Sequence, residues 1–223
     1  MSAHRLVVFD VDGTLIDSQA HILAAMEHAF GASGHPLPPR EVVLGIVGLS
    51  LPEAVAHLVP DLPAETRAGI VEAYKASFGQ LRAATLSPLY PGAAGALAAL
   101  AARPGVRLGV ATGKSRRGLT HVLAAHRLDR LFATTQVADD HPSKPHPSML
   151  RAALAETGTT AGRAVMIGDT TFDIAMGRAA GMATIGVGWG YHPAGDLVAA
   201  GADVVIDGFE ALLPALDGLW GPW

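Results

Sequence analysis

The chain has 223 residues, enough for one sizeable core plus an insertion, with half of them hydrophobic and 16% charged, a balance that excludes disorder. Its formal net charge of −4 comes without any basic stripe, which argues against nucleic-acid binding. The absence of cysteine removes disulfides, thiol catalysis and thiolate zinc sites.

The first element is the apolar run Leu6–Phe9, which stops on Asp10, with Asp12 two positions later and Gly13 in the turn. Strand ends at the carboxyl edge of an open α/β sheet face the ligand crevice, so both acids point at whatever binds there. Two carboxylates this close need a cation or a raised pKa, which suits a hard metal ion and a phosphate. An EF-hand is excluded, because Thr14 and Leu15 stand where its loop needs a third ligand and a glycine. The few apolar residues before Asp10 are far short of a signal-peptide core. No stretch reaches the roughly 20 apolar residues of a membrane helix, so no membrane partner and a cytoplasmic location are expected.

The following stretch reads as helical: from a cap at Asp17 or Ser18 to Phe30, then about Pro39–Gly45, Leu51–Leu58 and Pro63–Arg82, with Leu86–Pro91 as a returning linker. Further apolar runs follow at Arg107–Ala111, Phe132–Val137, Ala164–Ile167, Ala183–Val187 and Asp203–Ile206. The segments Gly92–Ala102, Arg116–His126, Pro147–Glu156 and Phe172–Ala180 between them have helical spacing. Strands alternating with helices of this length indicate a parallel sheet covered on both faces. The expected fold is therefore α/β: a Rossmann-like core over 1–16 and 88–223, with a helical cap, 17–87, inserted over the crevice.

Three later strand ends carry chemistry. Thr112-Gly113-Lys114-Ser115 offers a hydroxyl and backbone N–H groups for a phosphate. It is not a P-loop, since the earlier glycine would have to stand at Leu108 and Gly109 is one residue too close. Lys144 is the lone cation of the proline-stiffened loop His141–Pro147. Gly168-Asp169 ends another apolar run, and Asp173 lies one helical turn on. The histidines have no metal-ligand spacing.

In this order the four segments resemble the motifs of the haloacid dehalogenase superfamily, over all but the Leu216–Trp223 tail. The match runs through Asp10-Val11-Asp12-Gly13-Thr14-Leu15, Thr112-Gly113, Lys144-Pro145 and Gly168-Asp169 with Asp173. The resemblance implies Asp10 as the nucleophile, forming an aspartyl-phosphate, and Asp12 as general acid and then base. It implies that Thr112, Gly113 and Lys144 hold the transferring phosphoryl group. Mg²⁺ is expected on Asp10, the carbonyl of Asp12, and Asp169, with Asp173 behind them. An acid at position 12 points to phosphate esters. His21 is displaced by one from the pattern of the sugar phosphomutases, which are the alternative.

The insertion and its loop Ile46–Leu51 look most like the phosphoglycolate phosphatase group. The expected partner is a small phosphorylated metabolite, and the chain is a monomer or homodimer. The loop has no basic residue, so a substrate carboxylate would have to be met by Arg40, Lys75, Arg82 or Arg116. The aromatic tail Leu219–Trp223 packs either on the chain's own core or on a second subunit.

Overall fold

The computed structural model describes residues 4–221. In chain order the elements are β1 (Arg5–Phe9), α1 (Gln19–Ala32), α2 (Arg40–Leu44), α3 (Leu51–Leu58), α4 (Ala64–Ala84), α5 (Ala93–Ala101), β2 (Val106–Thr112), α6 (Arg116–Ala125) and β3 (Thr134–Val137). They continue with α7 (Ser148–Thr157), β4 (Ala164–Gly168), α8 (Thr171–Ala179), β5 (Ala183–Val187), α9 (Ala194–Ala199), β6 (Val204–Ile206) and α10 (Leu212–Trp220). The strands form one parallel sheet in the order β3-β2-β1-β4-β5-β6. The first half of the core winds outward from β1 through β2 to β3, and the second half through β4 to β6. Strand order thus reverses at β1, and the crevice of such a sheet opens beyond the carboxyl end of that strand.

Alternate residues of the apolar strands serve opposite faces. Val7 and Phe9 join Val110, Val165 and Ile167 in a cluster with Leu97 and Leu100 of α5, Leu119 of α6, and Leu212 and Leu216 of α10. Leu6 and Val8 join Met166 in a second cluster with Met149 and Leu150 of α7 and Met176 of α8. Burial on both faces is the reason these strands are continuously apolar instead of alternating.

Helices α1–α4, inserted between β1 and β2, close on a third cluster of their own. Met26, Ala29 and Phe30 pack there with Val43, Val55, Leu58, Ile70 and Val71. The two connecting segments run side by side: the Asp17 N–H donates to Pro88 O at 2.9 Å, and the Tyr90 N–H to Leu15 O at 2.9 Å.

Several sequence expectations shift at their edges. The expected strand Phe132–Val137 begins only at Thr134, and α4 runs two residues beyond Arg82. Ser18 stands at the N-cap of α1, yet its hydroxyl makes no capping bond, being donated instead to Asp12. Helices α9 and α10, not anticipated from periodicity, complete the fold. Within the tail, Trp220 packs at home, with the Arg5 guanidinium 5.3 Å from its ring centre. Pro222 and Trp223 lie outside the described residues.

Candidate active site

Register brings the chemistry-bearing strand ends together. Phe9 pairs with Val110 on one side and Ile167 on the other, so Asp10 emerges beside the ends of β2 and β4. The Asp10 N–H donates to Ile167 O at 2.9 Å, which fixes the nucleophile candidate's backbone. Its carboxylate is buried, and neither oxygen takes a directed hydrogen bond. The Lys144 ammonium lies 2.9 Å from Oδ1 as an ion-pair partner.

Lys144 is itself fully buried, donating to Asp173 Oδ1 at 2.7 Å. Burial works against its charge, but Asp10 and Asp173 outweigh that cost and hold the ammonium above its ordinary pKa. Asp173 also serves its own helix. Its other oxygen accepts from the N–H (3.1 Å) and hydroxyl (2.7 Å) of Thr170, closing a capping box on α8. One side chain therefore joins helix geometry to lysine placement. His141 bonds Ser148 and Gln136, each at 2.8 Å, which anchors the loop carrying Lys144.

Asp169 is buried between two donors, the Thr14 hydroxyl at 2.8 Å and the Tyr191 N–H at 2.9 Å. Carboxylate oxygens of Asp10, Asp169 and Asp173 lie within 4.8 Å of one another. Burial, opposed by Lys144 and reinforced by Asp173 and Asp12, pushes the Asp10 carboxyl up to about 7. Asp169 is raised for the same first reason, then by Asp173 and Asp10. Three buried carboxylates against one ammonium leave a negative excess, and the unpartnered Oδ2 of Asp10 suits a cation. Asp10 and Asp169 are hard oxygen donors of the kind a divalent ion takes.

Asp12 turns its side chain away from this cluster. Lys114 Nζ donates to both its oxygens at 2.7 Å, and Ser18 donates to Oδ1. Lys114 follows directly on Thr112-Gly113, so its proximity is visible in the sequence, but its ion pair is not. Thr112 is buried at the end of β2. A Cβ at Gly113 would stand 2.5 Å from Leu49 O and 2.6 Å from Gly48 O, because the 45–50 loop lies directly over this turn. At Gly13 the backbone has φ +82°, and a side chain there would run into Asp169, so glycine is required twice over.

The inserted helices and the sheet edge enclose a cleft of about 430 Å³, within the range of small-molecule sites. Asp10, Asp12, Thr112 and Gly113 line its floor, Val47–Ser50 one wall, and Tyr74, Phe78 and Arg82 another. Two bonds tie the 45–50 loop to the core: the Ser50 N–H donates to Ser143 Oγ at 2.8 Å, and His192 Nε2 donates to Gly45 O at 3.1 Å. Of the four basic residues considered from sequence, Lys75 and Arg82 line the cleft and Arg40 does not. Arg116 is held elsewhere by Asp140 at 2.6 Å and Thr135 at 2.9 Å. Its neighbour Arg117 lines the cleft instead. His21 bonds Ser87 at 2.6 Å and forms no part of the lining.

The family model described as haloacid dehalogenase-like hydrolase matches residues 7–187, a span that holds Asp10, Asp12, Thr112, Gly113, Lys144, Asp169 and Asp173, while Tyr191 and His192 lie just beyond it. The chain belongs to this hydrolase family. It is 36% identical over 219 residues to a protein of Dickeya dadantii named "Probable phosphatase IndB", covering 96% of this chain and 94% of the other. It is 34% identical over 214 residues to the plasmid-encoded phosphoglycolate phosphatase of Cupriavidus necator, covering 94% and 91%. Among solved structures, CbbY from Rhodobacter sphaeroides in complex with phosphate superposes with a TM-score of 0.80 at 28% identity, covering 96% and 99%. In this family member no helix of the described residues is long and apolar enough to cross a membrane.

Proposed function

We propose that this hydrolase is a divalent-metal-dependent phosphatase of small phosphate monoesters that works through an aspartyl-phosphate. The carrying observation is Asp10: a buried carboxylate at the end of the central strand, lining the cleft, with Oδ1 paired to the Lys144 ammonium and Oδ2 left without a partner among the described residues. The names of the Dickeya and Cupriavidus relatives support the same reading.

In the first step an Asp10 oxygen bonds to phosphorus as the bond to the leaving alcohol oxygen breaks, and Asp12 gives that oxygen its proton. In the second, water bonds to phosphorus, Asp12 takes the water proton, and Asp10 departs as inorganic phosphate forms. Thr112 Oγ and the Gly113 N–H hold phosphoryl oxygens, and Lys144 sets a fixed positive charge beside them. A divalent cation, Mg²⁺ in this proposal, would be held by Asp10, Asp169 and the carbonyl of Asp12, where it supplies charge against the phosphoryl oxygens. Asp173 acts by holding Lys144.

Residues 17–87 serve as a cap over the 1–16 and 88–223 core, shielding the reacting group from water and excluding bulky phosphorylated macromolecules. Phosphoglycolate is the first substrate candidate and small sugar phosphates the second. The test is phosphate release from p-nitrophenyl phosphate and phosphoglycolate, with Mg²⁺ or with chelator. Turnover should require the metal and vanish in Asp10→Asn. Turnover by that variant within a few-fold of the parent would remove Asp10 as the nucleophile.

A further inference from the structure

The residue assigned to proton transfer is tied up. Both oxygens of Asp12 are taken by Lys114 at 2.7 Å, and Ser18, which also meets the Tyr191 hydroxyl at 3.1 Å, donates to one of them. A carboxylate so engaged cannot reach a leaving oxygen or a water until Lys114 has another partner. Lys114 lies against the cleft, its ammonium 5.2 Å from the ring centre of Phe78 on α4.

Beside Lys114 the cleft wall carries two more cations. A side chain at Gly118 would meet Arg82 Nη1 and Lys114 Cβ, each at 3.8 Å, so these groups share one patch. Arg117 lines the same cleft, and its charge, after burial, holds the Arg82 guanidinium below its ordinary value. Among the described residues no carboxylate pairs with Arg82 or Arg117. The cleft's other basic residue, Lys75, is held by Glu72 at 2.7 Å, and its acid Asp139 accepts from the Arg116 N–H at 2.8 Å. Two unpaired cations beside a third that restrains Asp12 form a receptor for an anion distinct from the phosphoryl group over Asp10.

We propose that the substrate carries a second anionic group, a carboxylate or a second phosphate, and that this group takes Lys114 from Asp12. The inference rests on the phosphatase reading and narrows it to doubly anionic small esters. Arg82 and Arg117 attract the distal anion, and Lys114 exchanges partner as it arrives. Asp12 is then free to turn toward the ester oxygen. Arg82 comes from the inserted α4 and Arg117 from α6 of the core, so the distal anion also draws the two parts of the chain together. Lys114 is here a positioning residue acting through Asp12.

The experiment compares kcat and KM for phosphoglycolate, a short-chain bisphosphate and 2-hydroxyethyl phosphate, whose tail is uncharged. At least one anionic-tailed ester should exceed 2-hydroxyethyl phosphate in kcat/KM by about tenfold to a hundredfold, the span of one or two charge-assisted hydrogen bonds. Which one does so tells carboxylate from phosphate. In Arg82→Gln and Arg117→Gln, the first at a half-buried and the second at an exposed position, that ratio should collapse mainly through KM. In Lys114→Met, where that ion pair no longer holds Asp12 back, kcat for 2-hydroxyethyl phosphate should rise toward that for the anionic ester. Equal efficiency on all three esters, or a ratio unmoved by Arg82→Gln, overturns the subsite while leaving the phosphatase intact. No phosphate release from any ester, p-nitrophenyl phosphate included, overturns both readings.

Discussion

Replacing Asp10 by Asn should stabilise the metal-free protein on the alkaline side, although on the proposed mechanism the same change should abolish turnover. Burial is the largest influence on this carboxyl; Lys144 counters it, Asp173 and Asp12 add to it, and the pKa rises from 3.8 to about 7. The unfolded chain releases the Asp10 proton near 3.8, whereas the folded chain keeps it until about 7. Between those values the folded state binds more protons, so its stability falls as pH rises through the window. About three pKa units at 1.36 kcal/mol each give a loss of about 4 kcal/mol in total, of which roughly 2–3 kcal/mol falls between about pH 5 and about pH 8. Asn cannot ionise and escapes that loss, while Lys144 keeps Asp173 at 2.7 Å. Asp169, raised in the same direction, is present in both proteins.

Urea unfolding in chelator at the two pH values measures the difference. The variant's advantage should grow by roughly 2–3 kcal/mol toward the alkaline side. Added Mg²⁺ should then reverse the order, stabilising the parent by about 2.7 kcal/mol at a hundredfold excess over Kd and the variant far less. An advantage that is the same at both pH values would refute the view that burial of the Asp10 charge is only partly offset by Lys144.

Asp12→Ala should lower kcat by roughly 10²–10⁴-fold, as expected for a general acid–base group, and more for poor leaving groups than good ones in single-turnover measurements. Gly113→Ala should cost about 1–3 kcal/mol in chemical denaturation, because the new methyl group meets the carbonyls of Gly48 and Leu49 and the 45–50 loop must withdraw. The same withdrawal should raise KM for small esters.

How much of the site is legible in the sequence follows from distance along the chain. Asp10, Thr112 and Asp169 each stand within two residues of the end of an apolar run, and the rule that such ends face the crevice is enough to gather them. Lys144 belongs to no strand or helix and carries no periodic signal; its resemblance to a family motif singles it out. Ser18 reads as a helix cap because Ser before a helix usually is one. The competing partner is Asp12, six residues back, and a carboxylate acceptor forms the stronger bond. Among the basic residues, Arg116 and Arg117 are adjacent on one exposed turn, and nothing in their types distinguishes the one facing the cleft.

By itself the amino-acid order determined the parallel α/β core, its doubly covered strands, the helical insertion and the positions where acids meet strand ends. Those features depend on apolar periodicity and turn chemistry, which act over a few residues. Only the tertiary structure decided the pairings. Lys114 meets Asp12 across 102 positions, Tyr191 meets Ser18 across 173, and Thr14 meets Asp169 across 155. Which cation a carboxylate receives, and which arginine is left without a partner, is a matter of distances of a few ångströms. Those distances exist only once the sheet has closed its register and α4 has settled over the crevice.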